Sequence, residues 1–461
     1  METKAAGSLT HGRLGKQILA FSLPLMLSNV LQVLFNMSDI AVVGRFSGPI
    51  ALGAVGSTAT LVTLFTGFLI GLGSGINALV ARFLGAGSRE ETQRTVHTAL
   101  ALSLIFGAVL LLLGELTAVP LLKLLGTKEE LIDGATIYLR IYFLGMPAMA
   151  LYNFGNAVLS AAGDTRRPLL YLLIAGILNV ILNLFFVIVC KLDVAGVAIA
   201  TVISQMASCA FVLTMLLRKS MPVPLRWGRP DWAVMRRVLA FGLSPFLIIA
   251  TDSILLIVLN TVLQRYGGPE QGDALVTCGT IVQSYLLLIT MPMGGLTLGT
   301  QPVVSFNYGA GNLERIKKAI QCIVGLCLTF CAGMMVFTHT LSPVFVGLFT
   351  RNPELAEQSV GYIKVFTAMI LPLAVQYPLV DETTALGHVR LALFCSLFRK
   401  SVFLACLLLL PALVSAPATF LSEPIADAVA ATVTTCLFLH FFPKILAKRA
   451  RQEEGQPKVA E

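Results

Sequence analysis

Acidic side chains inside apolar runs are the positions where this chain has the means to do chemistry. A charge at the centre of a bilayer costs about 2.5–3.5 kcal/mol on insertion scales, so each one needs a reason. Asp39 lies in the outer part of the first long apolar stretch, with Gln32 and Asn36 at spacing i, i+4, i+7. That spacing puts the three on one helix face. Further polar faces follow: Asn153, Asn156 and Ser160; Asn179 and Asn183 at i, i+4; Thr201, Gln205 and Ser208 at i, i+4, i+7. If these faces converge, they enclose a polar cavity around one carboxylate. A partly desolvated acid there could exchange a proton near neutral pH. Its oxygens, with those of Asn179, Asn183 and Thr201, could instead hold Na⁺, a hard cation that takes oxygen ligands. The bland alternative for each amide and hydroxyl is a helix-to-helix hydrogen bond, worth about 0.6 kcal/mol on average.

A second intramembrane acid, Asp252, has less polar neighbours, Asn260 being two turns on. It reads as a cavity or coupling residue, or otherwise as a carboxylate paired with an unseen partner. Gln283, Tyr285, Gln376 and Tyr377 are candidate cavity walls. Asp381, Glu382 and Asp427 read as solvated helix ends, and Arg140, Lys364 and Arg399 as bases near helix ends.

These residues need apolar helices to position them. Of the 461 residues, 56% are hydrophobic and 12% charged, and mean hydropathy is +0.84. A soluble domain carries roughly 25% charge, so an all-α integral membrane protein without a sizeable soluble domain is expected. Apolar runs of about twenty residues predict twelve spans: 17–44, 50–81, 95–119, 137–161, 168–190, 194–217, 238–264, 274–303, 319–341, 358–386, 391–413 and 422–443. The first apolar run reads as a span rather than a cleaved leader. With the N-terminus inside, about 25 of the 33 basic residues fall on cytoplasmic segments, the bias of the positive-inside rule. Arg390, Arg399 and Lys400 are counted there. The net charge of +9 is therefore a topology signal, with both termini cytoplasmic, and not a nucleic-acid footprint.

The chain also repeats itself. GLGSGINALVARFLGAGSRE from Gly71 returns as GLTLGTQPVVSFNYGAGNLE from Gly295, at a constant offset of 224. The same offset carries Gly163 and Arg166 onto Gly387 and Arg390. Six spans per repeat make the halves parallel, related by a pseudo-twofold axis along the membrane normal. The expected organisation is an N-terminal six-helix lobe (1–217), a basic, proline-bearing cytoplasmic linker (218–237), and a C-terminal six-helix lobe with a basic tail (238–461). Nine scattered cysteines lack CxxC or metal spacing and read as packing residues. GRLGK at Gly12 lacks P-loop spacing, and the five histidines form no metal motif. An enzyme is not expected, nor a cofactor beyond a coupling ion.

Taken jointly and in order, several segments resemble the MATE (multidrug and toxic compound extrusion) family over essentially the whole chain. They are NMSDIAVVG (Asn36–Gly44), the two GAGxxE segments, Gly163-Asp164-Thr165, ILNVILN (Ile177–Asn183) and VAGVAIATVIS (Val194–Ser204). The resemblance implies two six-helix bundles around a cleft that opens alternately to each side, exporting organic, often cationic, compounds in exchange for Na⁺ or H⁺. It implies an ion site at Asp39, Asn179 and Thr201. Asn183 departs from the pattern: many relatives carry a second carboxylate there. One acid instead of two lowers the affinity expected for Na⁺ and makes H⁺ the simpler coupling ion. Another branch uses a helix-seven carboxylate, and Asp252 lies in that helix.

The expected partners are a small organic substrate and the lipid bilayer of the plasma (inner) membrane. One chain holds a complete cleft and could act as a monomer. Two other readings compete: a flippase for lipid-linked saccharides or other lipids, which would grip phosphates with basic residues in its spans, and a non-transporting scaffold or receptor, which needs no buried acid.

Overall fold

The computed structural model describes residues 14–125, 127–218, 228–347, 349–350 and 352–454, leaving out the side chains of residues 33, 36, 37, 49, 270 and 452–454. Most of the linker (219–227), the last seven residues and the Asn36 side chain lie outside that description.

In hydrocarbon every backbone polar group must find its partner within its own segment, so a chain this apolar is driven into helices. Among the described residues there are fourteen α-helices and no strand. They are α1 (Leu14–Phe46), α2 (Gly48–Gly85), α3 (Arg89–Leu124), α4 (Glu129–Leu144), α5 (Met146–Ala161), α6 (Arg166–Leu184) and α7 (Asp193–Leu216). A second series follows: α8 (Trp232–Pro269), α9 (Gln271–Gly309), α10 (Leu313–Val346), α11 (Pro353–Phe366), α12 (Ile370–Ala385), α13 (Val389–Leu413) and α14 (Ser422–Glu454). Gly268, at φ 64° in the run Gly267-Gly268-Pro269, breaks α8 from α9. Ten helices are long and apolar enough to cross a bilayer alone. Among the described residues the count reaches twelve when each of the bent pairs α4/α5 (48°) and α11/α12 (52°) is taken as one span.

The internal repeat survives as geometry. Helix ends recur 224 residues apart: α2 and α9 stop at Gly85 and Gly309, α3 and α10 start at Arg89 and Leu313, and α5 and α12 stop at Ala161 and Ala385. Gly87 and Gly311 take φ of 70° and 72°, and Gly163 and Gly387 take 92° and 90°. Only glycine adopts this region without a steric cost, so the repeated glycines mark repeated turns.

The chain divides into two compact units, one of Ala20–Ile249 and the other of Ala250–Glu461 with Gly12–Leu19. The boundary falls inside α8, whose first half belongs to the first unit. There α8 crosses α2 backbone to backbone. A Cβ on Gly71 would sit 2.6 Å from the Gly242 carbonyl oxygen, and one on Gly75 would sit 2.3 Å from that of Val238. Small residues permit such contact, and dispersion across it holds membrane helices together where lipid is as apolar as leucine. Asp231 starts α8: its Oδ1 accepts from the Ala233 and Val234 amides (2.7 and 3.3 Å), and its Oδ2 pairs with Arg94 (3.1 Å). In the second unit, Tyr285 (α9) and Thr338 (α10) share a hydroxyl hydrogen bond of 2.7 Å. All nine cysteines are free thiols.

Candidate functional site

Three helices of the first unit bring four polar side chains together. Asp39 comes from α1, Asn179 and Asn183 from successive turns of α6, and Thr201 from α7. A π-helical turn, Phe185–Val189, ends α6, and the chain reverses through Lys191 and Asp193, both at positive φ. This tight return sets α7 against α6, which lets residues 22 apart in sequence meet. Asn179 Nδ2 donates to Thr201 Oγ1 (3.3 Å). Asn183 Nδ2 donates both to Asp39 Oδ1 (2.5 Å) and to Asn179 Oδ1 (3.2 Å). Thr201 Oγ1 lies 3.3 Å from Asp39 Oδ2, which closes the ring.

Counting hydrogens shows what this ring can do. A threonine hydroxyl has one proton to give. Thr201 has two acceptors for it, Asp39 Oδ2 at 3.3 Å and the Val197 carbonyl at 3.0 Å. Asn183 spends both amide hydrogens, and its Oδ1 is buried with no donor. Asp39 is 6% exposed and Asn183 fully buried. The carboxylate thus relies on one short amide bond and one contested hydroxyl for what water would otherwise supply. The idle Asn183 oxygen is an acceptor for a hydrogen bond or a cation.

Tyr138 and Tyr142 of α4 are buried, stacked with ring centroids 6.0 Å apart, and in electrostatic reach of Asp39. Sequence reasoning missed them, although two tyrosines at i, i+4 in an apolar span were a readable signal. The Tyr142 hydroxyl lies 3.3 Å from Thr66 Oγ1.

The remaining first-half candidates do not join the ring. Gln32 is exposed. Asn153 donates to the Met149 carbonyl of its own helix (2.9 Å), and Asn156 accepts from Ser160 (3.3 Å). Gln205 reaches Met149 Sδ at 3.9 Å and hydrogen-bonds Tyr142, so it borders the ring through that tyrosine. The faces therefore converge only in part: those of α1, α6 and α7 meet near Asp39, while α5's asparagines bond within α5.

The second half departs further from expectation. Arg399 and Lys400 lie midway along α13, not near a helix end or on a cytoplasmic segment. Removing both from the cytoplasmic tally leaves its sign unchanged. Arg399 pairs with Glu423 and, at 2.7 Å, with Asp427, both on α14. Lys400 pairs with Asp252 of α8. Asp427 is 2% exposed and Glu382 is fully buried, so neither is a solvated end. For Asp427 the physical reason is compensation across helices, since a buried charge is tolerated where another helix brings its counter-ion; both carboxyl oxygens of Glu382 are buried without a hydrogen-bond partner among the described residues. Asp252 is paired with Lys400, a partner the sequence left unseen. Tyr285 is fully buried and bonded to Thr338, so it is core rather than cavity wall. Gln376 is buried, while Gln283 and Tyr377 are half-buried.

Among the described residues, no cluster of three or more His, Cys, Asp or Glu side chains could hold a metal ion. The oxygen set around Asp39, one carboxylate with two amide oxygens and a hydroxyl, instead suits a proton or a hard monovalent cation.

Comparison with known proteins agrees with this architecture. The MatE family model matches residues 24–185 and 246–409, one stretch in each half. "Probable multidrug resistance protein YoeA" of Bacillus subtilis is 29% identical over 347 residues, 72% of this chain and 73% of that protein. "Multidrug export protein MepA" of Staphylococcus saprophyticus is 23% identical over 447 residues, 95% of this chain and 97% of that protein. A crystal structure of MATE in the bent conformation superposes with a TM-score of 0.91 at 23% identity, covering 97% of this chain and 99% of that one.

Proposed function

The chain belongs to the MatE family of membrane transporters rather than to any enzyme class, and on that footing we propose that it is an antiporter coupled through Asp39. It exports organic, often cationic, compounds in exchange for H⁺ or Na⁺ by alternating access. The names of its relatives, a multidrug resistance protein and a multidrug export protein, support this substrate class. The observation that carries the coupling site is the closed ring around one buried acid, with an acceptor left over on Asn183.

The mechanism follows from the hydrogen count. While Asp39 is ionised, Asn183 and Thr201 donate to it and tie α1 to α6 and α7. Protonation removes the charge and makes Asp39 a donor. The Thr201 hydrogen then turns to the Val197 carbonyl, and a rotated Asn183 amide offers its oxygen to the new Asp39 hydroxyl. Na⁺ would require the same reversal, since amide hydrogens cannot face a cation. Either ion therefore changes how α1 is held, and an ion that binds two states unequally shifts their balance. In the state open to the outside, ion binding favours substrate release and the return inward. A single carboxylate, with Asn183 where a second acid would stand, favours H⁺.

The protein works in the plasma (inner) membrane with both termini cytoplasmic, and one chain suffices for transport. A flippase gripping phosphates would need free bases in its spans, and Arg399 and Lys400 are spent on carboxylates.

The test is uptake of a fluorescent organic cation into inverted vesicles under imposed H⁺ or Na⁺ gradients. Accumulation driven by one gradient is expected. Absence of gradient-driven uptake across a broad panel of organic cations, with scrambling of a phosphate-bearing lipid instead, would overturn the reading.

A further inference from the structure

Apart from the Asp39 ring, the first unit contains a cavity of about 650 Å³ beside the crossing of α2 and α8. Its size falls within the roughly 300–1,000 Å³ of small-molecule sites. The floor and walls are apolar: Phe68 and Leu72 from α2, and Leu239, Leu243 and Phe246 from α8. Phe68 packs on Phe246 with centroids 5.2 Å apart and on Phe106 at 4.9 Å, so the floor is a fixed aromatic surface. The close Gly71–Gly242 contact sets α2 against α8 beside the groove.

The mouth has the opposite character. Arg236 and Arg237, in the first turns of α8, line it, and both are exposed. Among the described residues neither guanidinium has an ion pair. The neighbouring acid, Asp231, is already engaged by Arg94 and by the amides of Ala233 and Val234. Two exposed guanidinium groups, Arg237 in the field of Asp231 but neither in a salt bridge among the described residues, stand over an apolar slot and match a ligand with a phosphate at one end and a hydrocarbon chain behind it.

We infer that the α2–α8 groove binds an anionic phospholipid, with its phosphate on Arg236 and Arg237 and an acyl chain along Phe68, Leu243 and Phe246. Charge complementarity selects the headgroup, because basic pockets between helices on the cytoplasmic side hold anionic lipid. The inference rests on the proposed topology only for the choice of leaflet. Its readout is lipid association, not transport, so its failure would leave the antiporter reading standing.

The chain supplies its own probe. Of its two tryptophans, Trp232 is 70% exposed and immediately precedes Ala233 of the cavity lining. The full chain carrying Trp227→Phe, reconstituted in vesicles, would be quenched by phosphatidylglycerol or phosphatidylcholine with brominated chains. Relative association with the anionic lipid is expected to be about five- to tenfold stronger. Arg236→Gln with Arg237→Gln should abolish that preference, whereas Lys318→Gln with Lys448→Gln, which removes equal charge elsewhere, should keep it. Filling the groove with Ala240→Phe, or with Leu243→Phe should the first not fold, should also abolish it. Equal quenching by both lipids would overturn the inference, as would a preference that survives loss of the two arginines. A preference that survives groove filling, or that free inorganic phosphate at millimolar concentration removes, would overturn it too.

Discussion

The two halves share a backbone plan and use it for opposite electrostatics. At the repeat offset, Asp39 corresponds to Leu263, Asn179 to Phe403 and Asn183 to Leu407, all buried and apolar. Where the first half holds one acid among neutral amides, the second holds Arg399 against Glu423 and Asp427, and Lys400 against Asp252. A lone acid in a ring of neutral groups can change its protonation or accept a cation at modest structural cost. A carboxylate matched by a fixed base has its counter-ion already, so a proton or Na⁺ must displace it. The duplicated fold thus sets a lone acid in neutral surroundings against a braced α13–α14 cluster, and the proposed coupling site is the first of the two.

The largest effect that tests this contrast is in the braced half. Arg399→Met leaves Glu423 and Asp427 buried without their base, and breaking such a pair costs about 3–5 kcal/mol. Thermal unfolding in detergent should show the variant strongly destabilised. Adding Glu423→Gln and Asp427→Asn should restore most of the loss. A destabilised single variant that the added changes fail to rescue would mean that Arg399 acts through packing.

Next in size is Asn183→Asp, which gives the responsive site the second carboxylate it lacks. The half-saturating Na⁺ concentration for cation uptake is expected to fall at least about tenfold, a gain of about 1.4 kcal/mol. An unchanged Na⁺ dependence would detach Asn183 from the ion site. Thr201→Val removes one hydroxyl with two acceptors and should cost about 1 kcal/mol in stability, with slower gradient-driven uptake. The smallest effect belongs to Asp252→Asn. The Asp252 side chain is 54% exposed and Lys400 stays in the field of Glu423 and Asp427, so a loss within about 1 kcal/mol is expected. Abolished coupling in this variant would break the division of labour between the halves.

Much of the fold was legible because hydropathy and glycine placement are local signals. The twelve apolar runs and the repeated GAGxxE turns predicted helix ends that recur 224 residues apart. The ring of Asp39, Asn179, Asn183 and Thr201 was legible in outline, since spacing of i, i+4 marks a helix face whatever that face meets. What a face meets was not legible. Asn156 and Ser160 carry the same spacing and bond to each other, and Asn153 bonds within its own helix. The pairing of Lys400 with Asp252 spans 148 residues and leaves no mark on the neighbours of either. The bases on α13 looked like helix ends because their counter-ions come from α8 and α14.

The most direct test of the central claim compares wild type with Asp39→Asn in vesicles, measuring two rates for one fluorescent organic cation. One is accumulation driven by an ion gradient, and the other is exchange of substrate across the membrane without a gradient. The account predicts that the variant loses accumulation while retaining exchange, because the cleft remains and the responsive group does not. Gradient-driven accumulation at the wild-type rate in Asp39→Asn would contradict it.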